Sequence, residues 1–109
     1  SIFFYMYGHT IDWIKATENE IAVGKALLIC CSDSNIEKTL LMLKNSRNIN
    51  EYAQMLETEY EISQIVSRQI ANFSMAQLAG IRFEQVEKTI EKERQLLEKL
   101  HALLQLEQN

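Results

Sequence analysis

The chain contains no proline and only three glycines among its 109 residues. The short turns of β-sandwiches and barrels depend on these two residue types, so their scarcity argues against a turn-rich β fold. Hydrophobic residues make up 47% of the chain and charged residues 24%, which excludes a disordered or fibrous protein. The length is that of one domain, since domains usually have about 100–150 residues. We therefore expect a single helical domain over residues 1–109.

Cysteine is also scarce, because the chain has only Cys30 and its neighbour Cys31. A disulfide between adjacent residues would close a strained ring, so the sequence has no disulfide framework. This favours a reducing compartment, and we expect a cytoplasmic location.

Long apolar runs are missing as well: Ile21–Cys31 has eleven residues and includes Lys25, whereas a membrane-spanning helix needs about 20 apolar residues. We expect no membrane span.

Motifs for metal or cofactor chemistry are missing from the sequence. Three scattered glycines cannot form a phosphate-binding loop, and neither Cys-x-x-Cys nor a histidine pair is present for zinc. Glu98 and His101 have the Glu-x-x-His spacing of di-iron bundles, but the second copy fails because Met6 precedes His9 by three residues. We expect no metal, no cofactor and no enzymatic activity.

The second half of the chain carries the clearest structural pattern. Residues 50–109 contain one glycine and are rich in strong helix formers. Positions seven residues apart are apolar in seven of eight cases, and these positions are Met55, Ile62, Gln69, Ala76, Phe83, Ile90, Leu97 and Leu104. The spacing predicts long amphipathic helix. This segment either breaks near residues 74–80 or projects as a long helical arm that needs a partner.

Residues 1–49 predict shorter N-terminal helices. Ser34 and Glu37 have the spacing of a capping box, and Asn50 is suited to cap the helix that follows. Residues 26–31 fit either a helix or a buried strand of a βα unit. We favour a helix, because nothing after Asn50 supplies the other strands of a parallel sheet. The predicted fold class is therefore all-α, a small bundle of three to five helices with long C-terminal amphipathic helices.

The net charge of −4 comes from one short segment. Basic and acidic residues balance within residues 1–50 and within residues 62–109, so the excess consists of Glu51, Glu57, Glu59 and Glu61. We interpret this segment as a solvated helix. The alternative is a docking patch for a basic partner, in which Tyr52 and Tyr60 would be the aromatic anchors.

The leading functional hypothesis is a non-enzymatic protein–protein interaction module. Such a helical adaptor, chaperone-like binder or assembly subunit would bind another protein or a second copy of itself. The last helix has an apolar band that is wider than a two-stranded seam requires, with leucines at positions 96, 97, 100, 103, 104 and 106. The candidate partner-binding residues are Phe83, Val86, Ile90, Leu97, Leu100 and Leu104 on this helix, together with Tyr52 and Tyr60.

Two other functional classes stay open at this point. A small nucleic-acid-binding regulator would use Lys38, Lys44 and Arg47, although the acidic net charge disfavours binding to phosphate. A thiol-dependent enzyme would use Cys31, provided that a strand ends there and a helix begins, because a helix N-terminus lowers the pKa of a thiol. Salt-sensitive binding to duplex DNA would favour the first class, and rapid alkylation of Cys31 would favour the second.

Overall fold

The computed structural model describes residues 2–108, with side chains from residue 8 onward. These residues form six α-helices and no strand. The helices are α1 (Ile2–Cys30), α2 (Ile36–Asn45), α3 (Ile49–Tyr60), α4 (Gln64–Ala71), α5 (Met75–Ala79) and α6 (Phe83–Gln108). The predicted fold class, an all-α bundle with a long C-terminal helix, is confirmed. The described helices outnumber the expected three to five because the middle of the chain divides into short segments.

The end of α1 decides two interpretations of the sequence. The helix continues to Cys30, so the preferred helix is confirmed and the strand alternative is wrong. The side chains of Ser32 and Asn35 each donate a hydrogen bond of 3.0 Å to the Ile29 carbonyl, which satisfies an acceptor at the helix end. The capping box predicted at Ser34 does not form, because the Ser34 hydroxyl bonds to that of Ser32 at 3.2 Å instead.

Capping side chains divide the middle of the chain. The Asn48 side chain accepts a hydrogen bond of 2.9 Å from the Glu51 amide, so the cap of α3 lies two residues before the expected position, Asn50. Helix α3 ends at Tyr60, and the φ of 53° at the next residue, Glu61, lies in the left-handed region typical of helix ends. The Ser63 hydroxyl then caps α4.

A reciprocal capping box begins α5. The Ser74 hydroxyl accepts a hydrogen bond of 3.0 Å from the Gln77 amide, and the Gln77 side chain accepts one of 2.8 Å from the Ser74 amide. Residues 72–74 before α5 and residues 80–82 after it are not helical. The chain therefore leaves helical geometry on both sides of the segment where the sequence indicated a break.

The hydrophobic core surrounds the last third of α1. Among the described residues, the buried core cluster begins at Ala26 and ends at Leu78, with side chains of α1, α3, α4 and α5. Partly buried side chains of α2, Leu40 and Leu43 among them, pack against this cluster. We call this part of the molecule the head. Its largest fully buried side chains are Tyr52, Leu56, Ile70 and Leu78.

Helices α1 and α6 pack antiparallel to each other. Gly24 lies against Ile90 near the head, and the Thr10 hydroxyl donates a hydrogen bond of 2.9 Å to Glu107 near the other end. Residues 8–18 of α1 and 93–108 of α6 lie outside the core cluster of the head, and the molecule measures 52 × 28 × 21 Å. We call this two-helix part the arm.

Candidate protein interface

Five of the six predicted partner-binding residues of α6 lie on the side of the helix that packs against α1 of the same chain. They follow the spacing of three and four residues that keeps one helix face toward a neighbour. Phe83, at the start of α6, is 37% exposed. The other five are buried or half-buried: Val86, Ile90, Leu97, Leu100 and Leu104. The pattern on α6 therefore marks an intramolecular contact, because the 29-residue α1 is long enough to cover it.

The two predicted aromatic anchors of α3 belong to the head. Tyr52 is fully buried, and burial raises its pKa to about 12. Tyr60 is half-buried, and its hydroxyl shares a hydrogen bond of 2.6 Å with that of Thr39, which donates to the Cys30 carbonyl at 2.8 Å. A fully buried Tyr52 cannot reach a partner, so the structure contradicts its placement in a docking patch on α3.

The cysteines are poorly placed for nucleophilic chemistry. Cys30 and Cys31 lie at the C-terminal end of α1, whereas a helix lowers a thiol pKa at its N-terminus. Burial raises the pKa of Cys30 to about 12 and also raises the pKa of Cys31. Both shifts disfavour the thiolate that attacks a substrate. These observations oppose a thiol-dependent reaction at Cys31.

The basic residues around α2 are engaged with acidic residues of α3. The Lys38 ammonium lies 2.6 Å from the Glu59 carboxylate, and the Arg47 guanidinium lies 3.3 Å from that of Glu51. A nucleic acid phosphate would have to compete with these carboxylates for two of the three cations proposed to bind it. The acidic segment of the chain thus pairs with two of the three cations on which the nucleic-acid alternative depends.

One flank of the α1–α6 pair remains open in the arm. Trp13 is 58% exposed and Leu103 42%, and both line a shallow groove of about 230 Å³. Leu96 lies on the same face of α6 as Leu103 because the two are seven residues apart. Leu106, 73% exposed, lies one turn beyond Leu103. We call the four residues Trp13, Leu96, Leu103 and Leu106 the apolar flank.

A second groove, of about 320 Å³, follows the same side of the helix pair toward the head. It is lined by Leu27, fourteen residues after Trp13, and by Thr89, seven residues before Leu96. Residues at multiples of seven share a helix face, so the two grooves lie along one side of the pair. The open surface is therefore longer than the apolar flank itself.

Helix α4 closes the head end of this surface. The side-chain amides of Asn19 on α1 and Gln69 on α4 exchange two hydrogen bonds, of 2.9 and 3.1 Å. Five residues further along α1, at Gly24, helices α1 and α6 approach each other closely. A Cβ added to Gly24 would lie 2.9 Å from a side-chain carbon of Ile90. In this region three helices meet, whereas in the arm there are two.

The sequence-based prediction included the apolar band of α6 but named none of the four residues of the apolar flank as partner-binding. It recognised that the apolar band of α6 is too wide for one neighbour, and the structure divides that band into a half that packs on α1 and an exposed half. It missed Trp13, the only tryptophan of the chain, which α1 places beside Leu103. The available signal was the seven-residue spacing from Trp13 to Glu20 and Leu27, which places Trp13 at the edge of the helix contact.

Neither a metal site nor a membrane span is found in the described part of the chain. No group of three or more His, Cys, Asp or Glu side chains in residues 8–108 is arranged to hold a metal ion. No helix within residues 2–108 is both long enough and apolar enough to cross a bilayer.

No family model, curated protein or solved structure matches this chain.

Proposed function

We propose that the protein is a non-enzymatic protein-interaction module that binds a helix of another protein on the apolar flank of its arm. The observation that carries this proposal is the exposure of four large apolar side chains on one side of a helix pair whose seam is otherwise packed. Contiguous exposed apolar surface on a soluble domain is typical of an interaction site. Tryptophan is among the residues most enriched in binding hot spots, which favours Trp13 as the central contact.

A helix is the natural occupant of this surface. Two antiparallel helices leave a groove along each side of their contact, and a third helix can lay its apolar face into such a groove. The two grooves lie one after the other along α1 and α6, one in the arm and one next to the head. A partner helix would pack against the arm as α4 packs against α1 near the head.

A second copy of the chain fits this surface less well. In a two-fold symmetric dimer, the same patch lies on both sides of the interface. Lys92 and Lys99 border the apolar flank, and pairing of two antiparallel arms would bring the lysines of one copy close to those of the other. Like charges brought together in this way destabilise the contact.

The test uses an 18-residue amphipathic helical peptide with a leucine stripe and uncharged edges, added to the full chain. Because Trp13 is the only tryptophan, its fluorescence reports directly on the apolar flank. We expect binding to shift the Trp13 emission to shorter wavelength, and Leu103→Asp to weaken binding about tenfold, roughly 1.4 kcal/mol. Gln105→Asp, which adds the same charge on the far side of α6, should bind as the unchanged protein does.

Circular dichroism on both variants shows whether the helices are retained. An unchanged Trp13 emission together with no heat of binding in calorimetry would contradict the proposal. Sedimentation velocity tests the alternative occupant: concentration-dependent dimerisation that Leu103→Asp abolishes would mean that a second copy, and not another protein, covers the flank.

A further inference from the structure

Basic residues border the apolar flank along α6. Lys92 and Lys99 are exposed, are seven residues apart, and lie on the same side of the helix as Leu96 and Leu103. Within the described residues, neither lysine forms an ion pair. The two ammonium groups therefore produce an uncompensated positive edge next to the groove.

The acidic residues of α6 are placed elsewhere. A second row of charged residues, also spaced by seven, consists of Glu84, Glu91 and Glu98. Each of these positions is one residue before the row that contains Lys92 and Lys99, and a step of one residue rotates a side chain by about 100° around the helix. The glutamates therefore point toward the opposite flank of the arm. These two rows of charge on α6 thus lie on different sides, the row of Glu84, Glu91 and Glu98 away from the apolar flank and the row of Lys92 and Lys99 beside it. A solvated face without a binding role does not require this separation.

Two carboxylates that line the grooves lie next to the seam between α1 and α6. One oxygen of Glu107 accepts a hydrogen bond of 2.9 Å from Thr10, and its other oxygen, Oε2, is buried without a hydrogen-bond partner among the described residues. Glu20 lies close enough to Glu93 of α6 to raise the pKa of that carboxyl. Lys92 and Lys99, in contrast, are exposed on the outer side of α6, where the polar edge of a bound helix would be.

We infer that the helix bound on the apolar flank carries an acidic edge, with Glu or Asp residues spaced to meet Lys92 and Lys99; this inference rests on the proposed function. The apolar stripe of the partner contacts Trp13, Leu96 and Leu103, and its acidic edge lies along α6. Complementary charge of this kind selects the partner and its register more than it adds affinity.

The length of the open surface sets the length of the partner segment. From Thr89 to Leu106 the surface extends over 17 residues of α6, or about 25 Å at 1.5 Å per residue. A helix of about five turns covers this distance. The partner is therefore an amphipathic helix of that length, acidic along one edge.

The experiment compares two peptides that share one leucine stripe and differ in two edge residues, both Glu in one peptide and both Lys in the other. We expect the full chain to bind the Glu peptide roughly fivefold more tightly at low salt, as measured by Trp13 fluorescence and calorimetry. At about 0.5 M salt the two peptides should bind with nearly equal affinity, because added salt shortens the Debye length and screens the charges. The double variant Lys92→Glu/Lys99→Glu should prefer the Lys peptide.

The matched control is Lys25→Glu/Arg94→Glu, which changes the net charge equally on the opposite flank and should keep the preference for the Glu peptide. Equal binding of both peptides to the unchanged chain would overturn the acidic edge but leave the apolar flank as a binding site. Reversal of the preference in both double variants would also overturn it, because net charge alone would then explain the selection. Failure of both peptides to bind would overturn the proposed function itself.

Discussion

The head and the arm are made of the same kind of helix, yet they cover their apolar side chains differently. In the head, Tyr52, Leu56 and Ile70 are fully buried, because helices approach each of them from several directions. In the arm, Trp13 and Leu103 remain largely exposed. Two helices can cover only one face of each other, whereas a bundle encloses its interior. The head is therefore an enclosed core, whereas the described side chains of the arm cover only one face of each of its two helices.

The seam of the arm also differs in composition from the core of the head. Thr10 and Thr17 are buried in it, and Glu93 and Glu107 occupy positions that face α1. Polar groups in a seam replace apolar area and so reduce the hydrophobic stabilisation that burial supplies. We infer that the arm opens more readily than the head, as regions with few buried apolar contacts do.

The largest expected effect is the loss of a core side chain in the head. Leu56→Ala should lower the free energy of unfolding by about 3 kcal/mol, because it leaves a cavity where the side chain was fully enclosed. Leu106→Ala in the arm removes the same atoms from a side chain that is 73% exposed. This substitution should change the free energy of unfolding by less than about 0.5 kcal/mol. Urea denaturation measures both, and equal losses would contradict the distinction between head and arm.

A smaller effect is expected where the two regions meet. In Gly24→Ala the new methyl group would lie 2.9 Å from Ile90, and the overpacking, about 1–3 kcal/mol, outweighs a helix-propensity gain of about 1 kcal/mol. Gly8→Ala is the matched control, since nothing lies within 4 Å of its added Cβ, and it should stabilise the chain by up to about 1 kcal/mol.

Thermal denaturation compares the two glycine variants. Adding Ile90→Ala to Gly24→Ala should make the two substitutions less than additive, because the smaller side chain removes the clash. If Gly24→Ala stabilises the protein as much as Gly8→Ala does, the close approach of α1 and α6 at this point is wrong.

The smallest expected effect concerns the carboxyl pair in the seam of the arm. The hydrogen bond that the protonated Glu93 carboxyl donates to the Glu20 carboxylate raises the pKa of Glu93 above its ordinary value of 4.5, and burial and the charge of Glu20 raise it further. Because the pKa of Glu93 is raised in the folded state, its contribution to the stability of the fold is complete below about pH 4.5. That contribution is lost as the pH rises through the raised value. Because the carboxyl pair is largely solvated, the free energy of unfolding should change by less than about 1 kcal/mol over this pH range.

Glu93→Gln removes this titration and keeps a hydrogen-bonding side chain. The melting temperature of the variant, relative to that of the unchanged chain, should therefore be higher at pH 7 than at pH 4. A difference between the two proteins that does not vary with pH would show that Glu93 does not titrate with a raised pKa in the folded arm.

Several features of the fold could be predicted because they depend on residues close together in the chain. The apolar spacing of Val86, Ile90, Leu97 and Leu100 predicts one face of a helix, and that face is the one that packs. Caps were less predictable: Ser34 has a sound capping-box spacing, but its hydroxyl bonds to Ser32 in the loop that closes α1. Local signals compete with tertiary contacts for the same polar groups, and the outcome is decided only when the loop is folded.

The candidate site was harder to predict because it depends on which helix covers which face. The arrangement of apolar residues along the chain by itself determined that the protein is helical and which side of α6 is apolar, since side-chain direction repeats every 3.6 residues. Only the tertiary structure decided that α1 covers half of that side, that Tyr52 is buried, and that Trp13 lies beside Leu103. Periodicity specifies where a side chain points along its own helix, whereas its neighbours depend on contacts between residues nearly the whole chain apart.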